Sequence, residues 1–358
     1  MAYITLSKSS LKHNYHFLQE LFRENEIEWA PVLKMLCGNK KYLEYILQLG
    51  KEQVCDARLG NLKTIKEIAP EKETIYIKPP AKKVIPDIVK YADVSFNTEF
   101  ITMKWLSKEA VKQDKIHRVI IMIELGDLRE GIMGEHLIDF YQKVFELPNI
   151  EVVGIGSNLN CLSGVMPSKD KLIQLSLYEQ LIEAKFGKKI TGVSGGSSVM
   201  VPLLMKGLVP KGVNHFRIGE TLFFGIDLFE NKTIEGMNDD VFLLHSEIIE
   251  ITEKPAIPYG EMEANPSGET FQIQEEDYGT TQQRAILDIG LLDVTKIDYL
   301  TPLDTDLNFI GASSDMLVVD VTETKNNYKV GDIVTFKMKY MGALGVMNSN
   351  YTEKRLVD

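Results

Sequence analysis

Residues 29–38 have the sequence WAPVLKMLCG, in which a short β-rich run ends on a lysine, and the amphipathic segment KKYLEYILQLG follows at 40–50. The same alternation of a β-rich run and a segment with apolar residues at three- and four-residue spacing continues to residue 218. Repeated βα units of this kind predict a parallel sheet covered by helices. The runs, eight in number, are WAPVL (29–33), QVCDA (53–57), TIYIK (74–78), ADVSF (92–96), RVIIMIEL (118–125), EVVGIGSNL (151–159), KITGVSG (189–195) and NHFRI (214–218). Since eight such units close a barrel, we predict an α/β fold with a (β/α)8 TIM barrel at 8–232.

The sequence pattern changes after Gly225. Segments such as QRAILDIG, DMLVVDVTE and GDIVTFKMKY are alternating or β-branched runs separated by Gly, Asn, Asp and Pro, with no convincing helix between them. This pattern predicts a β-rich C-terminal domain at 235–358, which an N-terminal strand at 2–7 would join. Residues 255–282, rich in Pro, Gly and Glu, are expected to form a long loop or an insertion.

The composition limits the function. The 358 residues carry a net charge of −11 and no run of Lys or Arg, so we expect a small-molecule substrate and no nucleic-acid partner. Cys37, Cys55 and Cys161 lack the spacing of a disulfide framework or a zinc site, which indicates a reducing compartment and no metal. The N-terminus has no signal-peptide core, and no uncharged apolar stretch reaches bilayer length. We therefore expect a soluble, cytoplasmic protein.

Polar residues at the ends of the predicted strands are the first candidates for an active site. The active site of a (β/α)8 barrel forms at the carboxyl ends of its strands. The polar residues at those ends are Lys34, Arg129, Asn158, the segment GGSS at 195–198, and Arg217.

These candidates have coherent chemistry together, although each also has a simpler explanation. A partly desolvated lysine after an apolar strand suits a Schiff-base nucleophile, but Lys34 could instead simply extend its ammonium to solvent. The glycines and hydroxyls of VSGGSSVM suit a phosphate group or a helix cap. Arg129 and Arg217 suit the binding of an anion. Alternatively, Arg129 is an exposed loop residue and Arg217 forms a structural salt bridge. An amine nucleophile, a phosphate site and two arginines in one barrel mouth describe a site for pyridoxal phosphate (PLP) and an amino acid.

At these positions the sequence resembles the alanine racemase-like, fold-type III PLP enzymes, and within them the branch described as ornithine racemases. The resemblance extends over nearly the whole chain. The motifs, in order, are ITLSKSSLKHNYHFL (4–18), APVLKMLCG (30–38), GDLREG (126–131), SGGSS (194–198), FRIGETLFFG (216–225), ASSDMLVVDVT (312–322) and KVGDIVTFKMKY (329–340).

The resemblance implies a role for each candidate. Lys34 would form the internal aldimine with PLP and act as one of the two acid/base groups. Arg217 would donate to the pyridine nitrogen, and Arg129 would contact the phenolate oxygen or the substrate carboxylate. The other residues implied to bind the cofactor are Asn158, Ser197, Ser198, Gly219 and Tyr340. The family also implies a homodimer whose subunits share their active sites.

Two departures from the family pattern bear on the substrate. The segment Gly290-Leu291-Leu292-Asp293 lacks the tyrosine that serves as second base in alanine racemases, and Met122 stands where many of them have a lysine. The loss of a bulky polar ring predicts room for a larger amino acid. Asp293, retained as a catalytic candidate, or Asp315 beside Ser314 could pair with a distal ammonium; both aspartates could equally form structural turns.

We therefore expect a PLP-dependent amino-acid racemase, an isomerase, that acts on ornithine or another basic or larger amino acid. The first alternative is a fold-type III decarboxylase, which would pair the pyridine nitrogen with a carboxylate and is disfavoured by Arg217. The second is a non-catalytic PLP carrier, which would lack the C-terminal domain. The carrier regains weight if Leu291 leaves the site without a second base.

Overall fold

The computed structural model describes residues 2–265, 268 and 270–358 of the chain. They divide into two compact units. The first comprises Ser7–Val241, and the second comprises Phe242–Val357 together with the N-terminal residues up to Leu6. Within the predicted loop at 255–282, the positions of Pro266, Ser267 and Glu269 lie outside the described residues.

Strands and helices alternate along the first unit, whereas strands predominate in the second. The strands are β1 (Tyr3–Ser7), β2 (Glu28–Pro31), β3 (Gln53–Asp56), β4 (Glu73–Tyr76), β5 (Val94–Asn97), β6 (His117–Met122), β7 (Ile150–Gly156), β8 (Gly192–Ser197), β9 (His215–Ile218), β10 (Ile226–Asp227), β11 (Lys232–Thr233), β12 (Phe242–Pro255), β13 (Thr281–Leu287), β14 (Leu300–Pro302), β15 (Asn308–Ala312), β16 (Leu317–Asp320), β17 (Ile333–Met338) and β18 (Glu353–Val357). The helices are α1 (Lys8–Glu24), α2 (Lys40–Leu47), α3 (Leu59–Ile68), α4 (Ile85–Tyr91), α5 (Phe100–Lys112), α6 (Leu137–Phe145), α7 (Lys169–Phe186), α8 (Val201–Met205), α9 (Glu220–Phe224), α10 (Leu291–Val294) and α11 (Tyr340–Asn348).

The first unit is a closed barrel. Its described residues form a parallel sheet of eight strands in the order β2-β9-β8-β7-β6-β5-β4-β3. A parallel bridge between Val32 and Cys55 joins the two ends of this sheet, and the N–H of Leu33 donates to the C=O of Cys55 at 2.8 Å. Each β-rich run predicted from the sequence coincides with one of these strands, which confirms the (β/α)8 fold.

The interior of the barrel is filled by apolar side chains. Successive residues of a strand point to opposite faces, so every second residue faces inward. The residues that pack together inside the barrel are Ala30, Val32, Cys55, Ile75, Val94, Phe96, Ile120 and Met122. Since a TIM barrel is a packed core and not a pore, this filling leaves the ends of the strands for chemistry.

Local sequence sets where several helices begin and end. Ser7 Oγ accepts the N–H of Ser10 at 3.2 Å and caps α1. Ser168 caps α7 in the same way, and Gly187 ends that helix with φ of 61°, a left-handed conformation that glycine adopts without strain. No helix within the described residues is both long enough and apolar enough to cross a membrane.

The second unit is an antiparallel sheet organised around the long strand β12. This strand pairs with β1, β13 and β17, and the β1 register places Tyr3 opposite His245. β16 pairs with β13, and β15 pairs with β16. The second unit is therefore β-rich, as the sequence predicts.

The expectation that this region contains no helix is wrong, because α11 spans nine residues. Its glycines lower the helix propensity that can be deduced from sequence. A Cβ at Gly342 would lie 2.8 Å from the Tyr299 side chain, and one at Gly345 would lie 2.5 Å from the carbonyl oxygen of Asp293. Close packing of this helix thus requires the same two glycines that make the helix hard to predict from sequence.

Candidate active site

Lys34 lies at the carboxyl end of β2, where it begins a short 3-10 turn, Lys34–Leu36. Its side chain is exposed. Two carboxyl groups interact electrostatically with its ammonium. Burial raises the pKa of Asp56 to about 6 and also raises that of Glu220, while the positive charge of Lys34 opposes both shifts. The lysine therefore faces an acidic environment.

Asp56 is fixed in place by its own neighbours. It is fully buried at the end of β3. The Nδ2 of Asn61 donates to its two carboxylate oxygens at 3.2 and 3.0 Å, and the N–H of Arg58 donates at 2.7 Å. A buried carboxyl group with these partners keeps a single orientation beside the lysine turn.

The segment SGGSS ends in a hydroxyl that is available as a donor. Ser198 is buried, and its Oγ accepts the backbone N–H groups of Gly219 and Thr221, each at 3.1 Å. Since its lone pairs are used in this way, its O–H proton remains for another acceptor. These bonds join the turn after β8 to the turn after β9. Gly196, with φ of 145°, keeps the backbone at the end of β8 free of a side chain.

Arg217 is a buried cation whose bonded partners are neutral. Only 4% of the residue is exposed. Its Nη1 donates to Ser194 Oγ at 2.5 Å, and its Nη2 donates to the C=O of Ser157 at 2.8 Å. Its Cζ lies 4.8 Å from the centroid of the Phe96 ring. Burial lowers the pKa of Arg217 to about 10. No carboxylate among the described residues accepts a hydrogen bond from this guanidinium, which leaves it able to donate to a ligand.

Asn158 follows β7 and contacts a cysteine. Its Nδ2 lies 3.0 Å from the Sγ of Cys161, which is exposed. The Oγ of the preceding Ser157 is shielded from solvent and has no hydrogen-bond partner among the residues that the structure describes. An unpartnered buried hydroxyl beside Arg217 is suited to a bound polar group.

The loop GDLREG, 126–131, has an unusually constrained backbone. Gly126, Leu128 and Gly131 have φ of 118°, 55° and 147°. A Cβ at Gly131 would lie 2.2 Å from the backbone nitrogen of Glu124, so the return of the loop to β6 requires glycine. Asp127 anchors the loop, since its carboxylate accepts the N–H groups of Cys161, Leu162, Ser163 and Val165.

Within this loop Arg129 forms an ion pair with its neighbour, Glu130. The Nε of Arg129 donates to Oε2 of Glu130, and its Nη2 donates to Oε1 at 2.5 Å. The side chain of Arg129 is 39% exposed and that of Glu130 is 15% exposed. The charges of Glu130 and Arg129 act in opposite directions on the pKa of the buried Arg217. The pair therefore belongs to the same electrostatic environment as Arg217.

The remaining predicted residues lie in the second unit. The N–H of Leu292 donates to the C=O of Ser314 at 3.0 Å, and a Cβ at Gly290 would lie 2.5 Å from the nitrogen of Asp315. The structure thus brings the Gly290–Asp293 segment and the Ser314-Asp315 turn together. Ser314 Oγ donates to Asp315 at 2.6 Å.

Asp293 and Tyr340 differ in their surroundings within this unit. The carboxylate of Asp293 accepts the hydroxyl of Ser349 at 2.6 Å and that of Thr352 at 3.4 Å. These contacts favour the structural alternative for Asp293. Tyr340 begins α11 and is half-buried.

The barrel residues fit PLP. A hydroxyl donor at the end of β8 suits the phosphate, a buried arginine without a carboxylate partner suits the pyridine nitrogen, and an amine at the end of β2 suits the aldehyde carbon. Ser157 adds an unpartnered hydroxyl beside the arginine. With PLP bound, these residues would position an amino acid and would move a proton to or from its Cα.

Sequence reasoning missed three features of this site. They are the carboxyl groups of Asp56 and Glu220 beside Lys34, the Asn158–Cys161 contact and the ion pair of Arg129 with Glu130. The glutamate that directly follows the arginine in GDLREG was a usable signal for the ion pair. The Asn158–Cys161 contact lies within one turn, whereas the interaction of Asp56 and Glu220 with Lys34 joins separate turns.

Comparison with known proteins places the chain among racemases. Residues 6–227 match the family model described as alanine racemase, N-terminal domain. The chain is 39% identical over 99% of its length to an ornithine racemase of Acetoanaerobium sticklandii, and 28% identical over 98% of its length to a lysine racemase of Thermotoga maritima, covering 99% and 97% of those proteins. Among solved structures, an alanine racemase from Bartonella henselae with covalently bound pyridoxal phosphate superposes with a TM-score of 0.74 at 16% identity, over 99% of both chains.

Proposed function

Because this chain belongs to the alanine racemase family, we propose that it interconverts the L- and D-forms of a basic amino acid, with ornithine favoured over lysine. It is a PLP-dependent amino-acid racemase, as the sequence motifs predict. The substrate preference rests on the two racemases of basic amino acids to which the chain is similar over nearly its whole length. The observation that supports racemisation best is the buried Arg217 without a carboxylate partner among the described residues.

PLP, when bound, supplies an electron-withdrawing ring that makes the Cα proton of an attached amino acid more acidic. Lys34 would hold the cofactor covalently and, once released from it, would remove or return the proton at Cα. Arg217 would donate to the ring nitrogen. Since a guanidinium does not give up its proton at neutral pH, Arg217 would keep that nitrogen unprotonated and favour proton exchange over decarboxylation.

We assign the remaining barrel residues by their positions. Ser198 and Ser197 would donate to the phosphate, beside Gly219, whose N–H donates to Ser198 Oγ. Arg129 would bind the substrate carboxylate or the phenolate oxygen, and Asn158 would lie beside the ring.

We assign roles to residues of the second unit as well. Tyr340 would contact the phosphate, and Ser314 and Asp315 would contact the substrate, as the family resemblance implies. Asp293 remains the weakest catalytic candidate, because its carboxylate already accepts two hydroxyl groups.

Incubation of the holoenzyme with single L-amino acids in deuterated water tests the proposal. Deuterium incorporation at Cα together with formation of the D-enantiomer is the expected result for ornithine. Release of CO₂ without inversion would indicate the decarboxylase instead. Neither exchange nor CO₂ release with any amino acid would indicate the carrier and would contradict the racemase.

We further propose that the active form is a cytoplasmic homodimer. The family resemblance supports shared active sites, and the free thiols of Cys55 and Cys161 are typical of a reducing compartment. Sedimentation and activity measured at the same protein concentrations test the assembly. A fully active monomer would exclude a shared site.

A further inference from the structure

We propose that Glu130 is the residue that selects basic amino acids, by accepting hydrogen bonds from the distal ammonium of the substrate while Arg129 donates to its α-carboxylate. This inference rests on the proposed racemase function and names the group that determines its substrate class. The observation behind it is the ion pair that these two neighbours form at the carboxyl end of β6.

The pair holds one positive and one negative side chain side by side. The guanidinium of Arg129 donates to both oxygens of the Glu130 carboxylate, with Nη2 and Oε1 2.5 Å apart. Glu130 is the more buried partner, with 15% of its side chain exposed against 39% for Arg129. A carboxylate with so little access to water has a strong requirement for a cation.

The loop that carries the pair is fixed at several points. Asp127 is tied to the backbone of 161–165, and Glu124 accepts the N–H groups of Gly126 and Leu128 at 2.5 and 3.0 Å. The loop then returns to the barrel sheet through a bridge between Ile123 and Ile132. A preorganised loop of this kind holds its charged side chains in position before a substrate arrives.

The charges of the pair match those of a basic amino acid. When the α-carboxylate of the substrate binds Arg129, the carboxylate of Glu130 loses its partner. The distal ammonium of ornithine or lysine replaces that partner, so one ion pair is exchanged for two and neither charge is left without a partner. Alanine, or any neutral amino acid, would leave Glu130 unpaired in a poorly hydrated site, which is costly.

Three other carboxylates of the barrel mouth are less suitable. Asp127 and Glu124 accept backbone N–H groups of the loop itself. Asp56 is fully buried and bonded to Asn61. Glu130 is distinguished from them because its partner is an arginine that the substrate itself would engage.

The test compares ornithine with norvaline, which has the same carbon chain without the distal ammonium. In the wild-type holoenzyme we expect kcat/KM for ornithine to exceed that for norvaline by roughly 10³-fold. In Glu130→Gln the ratio should fall to about ten or less, while Glu130→Asp, which keeps the charge, should retain most of the preference. Glu135→Gln, at an exposed carboxylate of the same segment, should leave both values unchanged.

A binding measurement provides a second readout that does not need turnover. Calorimetric titration of the borohydride-reduced holoenzyme should show tighter binding of ornithine than of norvaline, and Glu130→Gln should remove the difference. An equal loss for both ligands would show that Glu130 only orients Arg129, and an unchanged ratio would show that another group contacts the ammonium. Either result overturns the inference. If the wild-type protein binds ornithine selectively but racemises no amino acid, the proposed function fails while the assignment of Glu130 stands.

Discussion

Arg217 Nη1 donates to Ser194 Oγ at 2.5 Å inside the barrel, which places a hydroxyl directly against a buried guanidinium. The same Oγ lies 2.8 Å from Nδ1 of His215. Because the hydroxyl oxygen accepts from arginine, its proton is available to a neutral imidazole. Burial lowers the pKa of His215 to about 3, which agrees with a neutral ring.

Ser194→Ala removes this acceptor while the cation stays buried. We expect the free energy of unfolding to fall by about 1–3 kcal/mol, the cost of leaving a buried donor unsatisfied. Affinity for PLP should fall as well, since the arginine loses the contact that orients it. Denaturant unfolding of the apoprotein and titration with PLP measure the two effects.

Ser9→Ala, at an exposed serine of α1, is the matched control and should change neither value. An unchanged unfolding midpoint in Ser194→Ala would mean that the Arg217 guanidinium finds a replacement acceptor, and the orienting role of Ser194 would be wrong.

The barrel and its lysine could be predicted because their signals are local. The β-rich run before Lys34 and the amphipathic segment after it follow from spacing within a few residues. α11 could not be predicted in this way. Gly342 and Gly345 disfavour a helix locally, and only the closeness of Tyr299 and Asp293 explains why glycine is required.

The site shows the same division between local and non-local signals. Lys34 and Arg217 could be selected because they end strands of a barrel. Asp56 also ends a predicted strand and could have been selected by the same rule, but its interaction with Lys34 depends on the closure of β2 against β3. The substrate prediction placed the distal-ammonium contact on Asp293 or Asp315, and the hydroxyl partners of Asp293 become visible only in the folded second unit.

His117 should make the protein sensitive to acid. It is buried, and its Nε2 lies 2.7 Å from Ser95 Oγ. Burial lowers its pKa from 6.5 to about 4. As the pH falls below 6.5, the unfolded chain binds a proton that the folded chain does not accept until about pH 4, so stability is lost over this range. The loss should reach about 3 kcal/mol at full protonation.

Chemical denaturation between pH 7 and 4 measures this effect. His117→Gln should flatten the pH dependence over that window, at some cost in stability at pH 7. His136→Gln, at an exposed histidine, should leave the dependence as it is in the wild type. Parallel curves for wild type and His117→Gln would show that His117 does not cause the acid sensitivity.

Glu179 should have the opposite effect, at higher pH. It lies one turn before Glu183 on α7. Burial, the charge of Glu183 and a hydrogen bond with it raise the pKa of Glu179 to about 7. The folded chain therefore keeps a proton that the unfolded chain releases near pH 4.5, and stability is lost as the pH rises from 4.5 to 7. Glu179→Gln should raise the melting temperature at pH 8 and leave it unchanged near pH 4.

Glu44→Gln, at an exposed position of α2, is the control for the removal of a single negative charge. If both variants raise the melting temperature equally at pH 8, the gain comes from the lower net charge and not from the pair on α7.

Lys34→Ala should abolish covalent attachment of PLP. Lys34 follows the carboxyl end of β2, and the neighbouring strands β9 and β8 bring a buried arginine and the hydroxyl of Ser198 to the same sheet. Borohydride reduction of the wild-type holoenzyme should add the mass of the reduced cofactor to the peptide that contains Lys34, and the visible absorbance should disappear. In Lys34→Ala the added mass should be absent, and racemisation should fall by at least 10³-fold because the variant loses both the attachment point and an acid/base group.

Lys40→Ala changes an exposed lysine six positions away, whose ammonium lies 3.3 Å from Glu67, and should behave as the wild type does. If the added mass appeared on a different lysine in the wild-type protein, the residue that begins the 3-10 turn after β2 would not be the cofactor lysine, and the assignment of the whole barrel mouth would have to be revised.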